Sequence, residues 1–78
     1  MFNKRLYYTD HARDRMLPYG LTVTEVKYCL NNYDTRYSTR TGKLIYEANL
    51  PDGRRIKVYL EEKSSDAKVI TVTEKGSG

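Results

Sequence analysis

The sequence has no tryptophan, one phenylalanine, one cysteine and one histidine. Each shortage closes a route. A lone Cys29 cannot form a disulfide within the chain. With only His11 beside it, it cannot supply a zinc ligand set. The same shortage leaves no second imidazole for a catalytic triad, and the serines fall in loops, at a strand edge or in the tail. No apolar run approaches the roughly 20 residues that a membrane-crossing helix needs. Met1-Phe2-Asn3-Lys4-Arg5 carries charge with no apolar stretch behind it, so the start does not read as a secretory signal. There is no Gly-rich phosphate loop and no carboxylate cluster suited to a metal. The expectation is a cytoplasmic bacterial or phage protein with no metal, no cofactor and no membrane association.

What is plentiful is tyrosine and positive charge. The 78 residues carry eight tyrosines and a net charge of +4. Tyrosine tolerates half-exposed positions and offers both a stacking face and a hydroxyl. The charge mildly favours anionic partners. The length reads as one domain over residues 1–78, ordered from about 6 to 74, with a loose start and a flexible tail from 75 to 78.

Thr9-Asp10-His11-Ala12-Arg13-Asp14-Arg15-Met16 opens with a helix cap. Thr9 can accept from the first free backbone N–H groups, and Asp10 sits where the helix dipole favours an anion. Ala12 and Met16, one turn apart, form the buried edge. His11 and Arg15 share a second face. An imidazole beside a fixed guanidinium can exchange a proton next to a bound phosphate, which makes His11 and Arg15 candidate catalytic residues. The alternative is an exposed helix residue and a surface cation. Pro18 and Gly20 are expected to end this helix near Leu17.

Thr22 and Glu25 form a capping box for a second helix, stapled by Leu21 and Val26. Val26, Cys29 and Leu30 recur at helical spacing and face the core. From Thr35 the period changes to two. Pro51-Asp52-Gly53 reads as a turn with a bulge that sets Leu50 opposite Arg54. That register pairs Ala48 with Ile56, Tyr46 with Val58 and Leu44 with Leu60, and on the other face Glu47 with Lys57. A turn at Arg40-Thr41-Gly42 would pair Tyr37 with Ile45. A last strand is expected from about Lys68 to Glu74, with Ile70 and Val72 toward the helices and Val69, Thr71 and Thr73 away from them. Arg5-Leu6-Tyr7-Tyr8 is extended and can form a short strand. The architecture expected is α+β: an N-terminal two-helix hairpin packed on one face of a four-stranded antiparallel meander, the other face open.

Tyr37, Ile45 and Tyr59 then form a row across the open face, flanked by Arg55 and Lys57. From Arg36 to Lys57 there are six Lys/Arg and two Asp/Glu. Cations that hold phosphates and rings that stack bases make Tyr37, Arg54, Arg55, Lys57, Tyr59 and Thr71 candidate RNA contacts. A protein-docking patch and a plain sheet surface are the other two readings. Cys29 reads as core.

The pattern Thr9-x-His11-Ala12-x-x-Arg15-Met16, with Gly20-Leu21-Thr22, Asp52-Gly53-Arg54-Arg55-Ile56-x-Val58 and Val69-Ile70-Thr71-Val72, resembles a family of small uncharacterised bacterial proteins. That family has a His-Ala-x-x-Arg-Met helix and is usually grouped with the RelE-like toxins, in a wider set of ribonuclease folds that includes barnase and the tRNA-cleaving colicins. The resemblance implies a RelE/barnase-like fold and metal-independent cleavage of RNA, ribosome-bound mRNA included, by a monomer or homodimer restrained by an antitoxin protein. By position, His11 and Arg15 match the family hallmark, and Arg54 and Arg55 a weaker basic position. Neither a second histidine nor a carboxylate is evidently aimed at the same site. The alternative is a non-catalytic RNA- or protein-binding module that uses the tyrosine-rich face.

Overall fold

A computed structural model describes residues 3–75. Of the loose start expected over residues 1–4 and the tail expected over 75–78, residues 1–2 and 76–78 lie outside the described residues. Lys4 is held, its ammonium donating to the Lys63 carbonyl at 2.7 Å, and Lys75 ends a strand. The elements are β1 (Arg5–Tyr8), α1 (Asp10–Tyr19), α2 (Val23–Asn31), β2 (Thr35–Ser38), β3 (Leu44–Asn49), β4 (Arg55–Glu62) and β5 (Asp66–Lys75).

The four-stranded antiparallel meander with an N-terminal helical hairpin is not what forms, and the RelE/barnase-like fold expected with it is withdrawn. The sheet is five-stranded and mixed, in the order β1-β5-β4-β3-β2. β1 precedes both helices and pairs in parallel with β5, Arg5 opposite Asp66 and Tyr8 opposite Val69. Its alternation of Leu6 and Tyr8 toward the core with Arg5 and Tyr7 away explains why it is a strand. Its partner lies at the far end of the chain, and no local pattern records a parallel pairing at that separation. The helices use the sheet as their main partner: α1 packs on β5, and α2 on β3 and β4.

Local chemistry sets the helix ends. The Thr9 hydroxyl accepts from the Ala12 N–H at 3.0 Å. Thr22 and Glu25 close the capping box in both directions. Pro18 does not stop α1. It lies in the last turn, where the one intrahelical hydrogen bond it forfeits is tolerated. The stop is Gly20, in the left-handed region at φ 64°. Its N–H donates to the Leu17 carbonyl while Leu21 N–H donates to the Met16 carbonyl, and the buried Leu21 and Met16 side chains complete this Schellman end.

The two hairpins form in the expected register. Ala48 lies opposite Ile56, Tyr46 opposite Val58, Leu44 opposite Leu60 and Glu47 opposite Lys57. Leu50 N–H donates to the Arg54 carbonyl, and Gly53 takes the positive φ, 96°, that the turn requires. Across the second turn Tyr37 lies opposite Ile45.

β5 departs from strict alternation. Tyr59 faces Thr71 but Leu60 faces Val69, so Ile70 is an extra residue in a bulge. The phase changes there: Val69 and Val72 both reach the core with no exposure, and Ile70 is only half-buried. The expectation that put Ile70 toward the helices and Val69 away is corrected by this insertion. The Ile70 carbonyl, released from the ladder, accepts from the Thr9 hydroxyl at 3.0 Å. Thr9 therefore caps α1 and fastens it to the bulge with one side chain. The core under the helices comprises Ala12, Met16, Val26, Cys29 and Leu30 against Ala48, Ile56, Val58, Leu60, Ala67, Val69 and Val72. A fully buried Leu, Ile or Val contributes about 1.5–3 kcal/mol.

Candidate functional site

The face of the sheet turned from the helices carries the row that the hairpin registers build. Tyr37, Ile45, Tyr59 and Thr71 lie opposite one another on four adjacent strands. Tyr37 is 41% exposed and Tyr59 half-buried, and between them Ile45 is only 4% exposed. The rings therefore cover the central isoleucine and leave an aromatic shelf. The Lys57 ammonium sits 5.9 Å from the centroid of the Tyr59 ring. Burial pulls that ammonium toward neutrality. The Tyr37 hydroxyl, the Tyr59 phenol and Glu47 outweigh the burial and hold its pKa above the ordinary lysine value.

Beside the shelf lies a carboxylate that the motif pattern does not mark. Glu47 is 4% exposed on this face. Its Oε2 accepts from the Tyr37 hydroxyl at 3.1 Å and its Oε1 from Arg55 Nε at 3.3 Å. Arg55 also reaches Asp34 with both Nη atoms, at 3.0 and 2.8 Å, and Asn49 Oδ1 at 3.1 Å. The hydrogen bonds from Arg55 and Thr35 hold the Asp34 carboxyl down at about 2, and Asp34 raises the Arg55 guanidinium in return. Arg55 is thus a brace among four acceptor side chains, Thr35 Oγ1 at 3.5 Å being the fourth. Lys57 is the candidate cation that faces the shelf, its ammonium over the Tyr59 ring. The signal for Glu47 was its place opposite Lys57 in the register. Its contacts with Arg55 and Tyr37 are diagonal and lateral ones that register alone does not give.

Arg54 lies on the other side of the sheet. Its guanidinium donates to the Tyr19 carbonyl at 2.9 Å and to Asp52 at 2.8 Å, and pairs with Glu25, with Glu74 at 3.9 Å. It clasps the β3–β4 turn to the end of α1 and the start of α2, so it does not join the tyrosine shelf. His11 and Arg15 are exposed on α1, on the helix side of the sheet. Arg15 Nη2 donates to the Tyr19 hydroxyl at 3.2 Å with its guanidinium over that ring. Among the described residues no hydrogen bond or ion pair holds His11. The structure brings together Tyr37, Lys57, Tyr59, Thr71 and Arg55, adds Glu47 and Asp34, and leaves His11, Arg15 and Arg54 elsewhere.

A second polar group lies on the helix side beyond α2. Arg36 Nε donates to the Tyr46 hydroxyl at 3.1 Å, and that hydroxyl donates to Glu62 Oε1 at 3.1 Å. Glu62 in turn meets Lys4 at 3.5 Å. Burial raises the Tyr46 phenol. Cys29 is fully buried, donates to the Tyr46 carbonyl at 3.6 Å, and burial pushes its thiol up to about 12, which makes it an inert core residue. Among the described residues no group of His, Cys, Asp and Glu is placed to hold a metal ion. No helix among them is long and apolar enough to cross a membrane.

Chemically, the shelf can stack planar rings and offer a cation beside them. The Tyr37–Glu47–Lys57 group holds a proton acceptor and two proton donors within one patch. A small two-layer domain, with helices on one face and a free tyrosine shelf on the other, is the class that fold and site define. Within that class, the chain belongs to the family described as Domain of unknown function (DUF4258), whose model matches residues 8–74. No curated protein and no solved structure gives a match.

Proposed function

We propose that this protein acts on single-stranded RNA, which it holds on the open sheet face with bases stacked on Tyr37 and Tyr59 and a phosphate at Lys57. The observation that carries the reading is the row of Tyr37, Ile45, Tyr59 and Thr71 across four strands. An aromatic row of this kind on an uncovered sheet stacks bases in other RNA-binding folds. The catalytic form of the reading is a toxin-type, metal-independent endoribonuclease restrained by a protein partner. It rests on the resemblance of the Thr9–Met16 helix and on one observation of geometry, the buried Glu47 between Tyr37 and Arg55. In that form Glu47 takes the proton of the 2′-hydroxyl, O2′ attacks the phosphorus and the P–O5′ bond breaks. The leaving oxygen takes a proton from Lys57.

One experiment tests both forms. A fluorescent single-stranded RNA is titrated with the protein in chelator, across a salt series, and the RNA is then run on a gel. Binding is expected to fall with salt by a slope of about −0.7 per phosphate contact. Tyr59→Ala and Tyr37→Ala should each cost about 1–3 kcal/mol, the scale of one stacked base, and Tyr37→Phe much less. Cut RNA from the wild type but not from Glu47→Gln, with binding kept, selects the catalytic form. Because His11 and Arg15 lie across the sheet, His11→Ala and Arg15→Ala should leave affinity unchanged. No binding at low salt, or a slope near zero, overturns the reading.

A further inference from the structure

The sheet has two edges, and they are not alike. Both edge strands are four residues long, but at one, Leu6 and Tyr8 of β1 pack against the core. At the other, every residue of β2 is exposed. Hydrogen bonding in an antiparallel ladder alternates along each strand. Thr39 N–H donates inward to the Lys43 carbonyl at 2.8 Å, so Tyr37 and Thr35 direct their backbone groups at β3. The N–H and C=O groups of Arg36 and Ser38 therefore point outward. They form a free template of two donors and two acceptors, separated by one residue.

The side chains around that edge give it a character. From Thr35 to Lys43 the chain holds Arg36, Arg40 and Lys43 and no carboxylate. The acidic groups packed nearby are engaged: Asp34 with Arg55, Glu47 with Tyr37 and Arg55, Glu62 with Tyr46 and Lys4. Arg36 uses Nε on Tyr46 and lies over its ring at 5.5 Å. Two exposed rings flank the edge. Tyr37 stands on the open face, and Tyr33, 46% exposed, on the other, edge-on to Tyr46 at 5.0 Å.

We propose that an acidic, extended peptide segment of a partner protein adds to β2 as a sixth antiparallel strand. Backbone groups of Arg36 and Ser38 hold its main chain, and its alternate side chains lie against Tyr37 on one face and Tyr33 on the other. The cations that keep neutral or basic strands off this edge are the ones that favour an acidic strand. The site borders the RNA shelf at Tyr37, and its backbone template at Arg36 and Ser38 does not depend on the RNA reading.

The probe is a nine-residue peptide of alternating Glu and Val, compared with its Lys-Val counterpart, with the same acidic peptide N-methylated at alternate amides, and with a short oligouridylate. Fluorescence anisotropy should show saturable binding of the acidic peptide alone among the peptides, and loss of that binding with added salt. Ser38→Pro removes an outward N–H without touching the β2–β3 ladder, and should weaken the peptide roughly tenfold, the scale of one or two lost backbone hydrogen bonds. N-methylation should do the same in the unaltered protein, so a failure of Ser38→Pro to fold does not remove the test. Arg40→Glu should weaken the acidic peptide further. Equal binding of the N-methylated peptide, of the Lys-Val peptide, or of the acidic peptide to folded Ser38→Pro overturns the proposal. So does competition of oligouridylate with the acidic peptide on Tyr37→Ala, which lacks the ring the two sites share, because that would make the edge itself part of an RNA path.

Discussion

Thr9→Ala should destabilise the fold by about 2 kcal/mol, from two separate losses at one hydroxyl. The hydroxyl accepts from Ala12 N–H, the capping bond of α1, and such a cap contributes typically about 1 kcal/mol. The same hydroxyl donates to the Ile70 carbonyl, which the bulge has freed from the ladder. Removing it leaves that part-buried acceptor without its partner, at about 1 kcal/mol more. For a domain of this size each kcal/mol lowers Tm by about 4–8 °C, so a fall of about 8–16 °C is expected. Thr9→Ser keeps both hydrogen bonds and should stay within about 0.5 kcal/mol of the wild type, because serine caps as well as threonine. Urea unfolding followed by far-UV circular dichroism reads all three proteins. A loss under about 0.5 kcal/mol for Thr9→Ala, or an equal loss for Thr9→Ser, would refute the double role. The outcome also bears on the helix motif. A large effect at Thr9 beside none at His11→Ala would give the opening of the Thr9–Met16 pattern a structural purpose.

Two further outcomes follow from single groups. Asp34, held at about 2 by Arg55 and Thr35, has a folded pKa below its unfolded value of about 3.8. Its contribution is therefore complete above the unfolded value and is lost as pH falls through the folded one. Asp34→Asn should lower the urea midpoint at pH 6 and converge with the wild type near pH 2. Parallel curves at all pH values would show that the pair contributes nothing. Tyr8 has a buried hydroxyl with no hydrogen-bond partner among the described residues. Tyr8→Phe should leave stability unchanged or raise it by up to about 1 kcal/mol, and a loss beyond about 0.5 kcal/mol would mean the hydroxyl is satisfied.

What could be read from the sequence was whatever a short stretch determines by itself. Thr22-x-x-Glu25 specifies its own cap, and Pro51-Asp52-Gly53 specifies a turn whose length sets the register of both strands beside it. The tyrosine row follows from those registers, which is why Tyr37, Ile45 and Tyr59 fell where alternation put them. The parallel pairing of β1 with β5 joins the two ends of the chain and has no such local cause. The bulge at Ile70 escaped for another reason. Val69-Ile70-Thr71-Val72 is compatible with either phase, and only the fully buried Ala67 and Val72 on either side of it require the extra residue between them.

The adjacent arginines show where composition misleads. Counting cations treats Arg54 and Arg55 alike, as two positive charges near a candidate phosphate. Period two gives successive residues to opposite faces. Arg54, in the turn, swings to the helix side and ties Tyr19, Glu25 and Asp52 together. Arg55 opens β4 on the other face and braces Asp34 and Glu47. Both charges are paired within the protein, so of the candidate RNA contacts Lys57 is the cation left to meet a phosphate, and its environment favours its charged form. In the proposed reading, a site built this way would hold RNA more by stacking than by charge. Its salt slope should correspond to one or two phosphates, far fewer than the six cations between Arg36 and Lys57 would suggest.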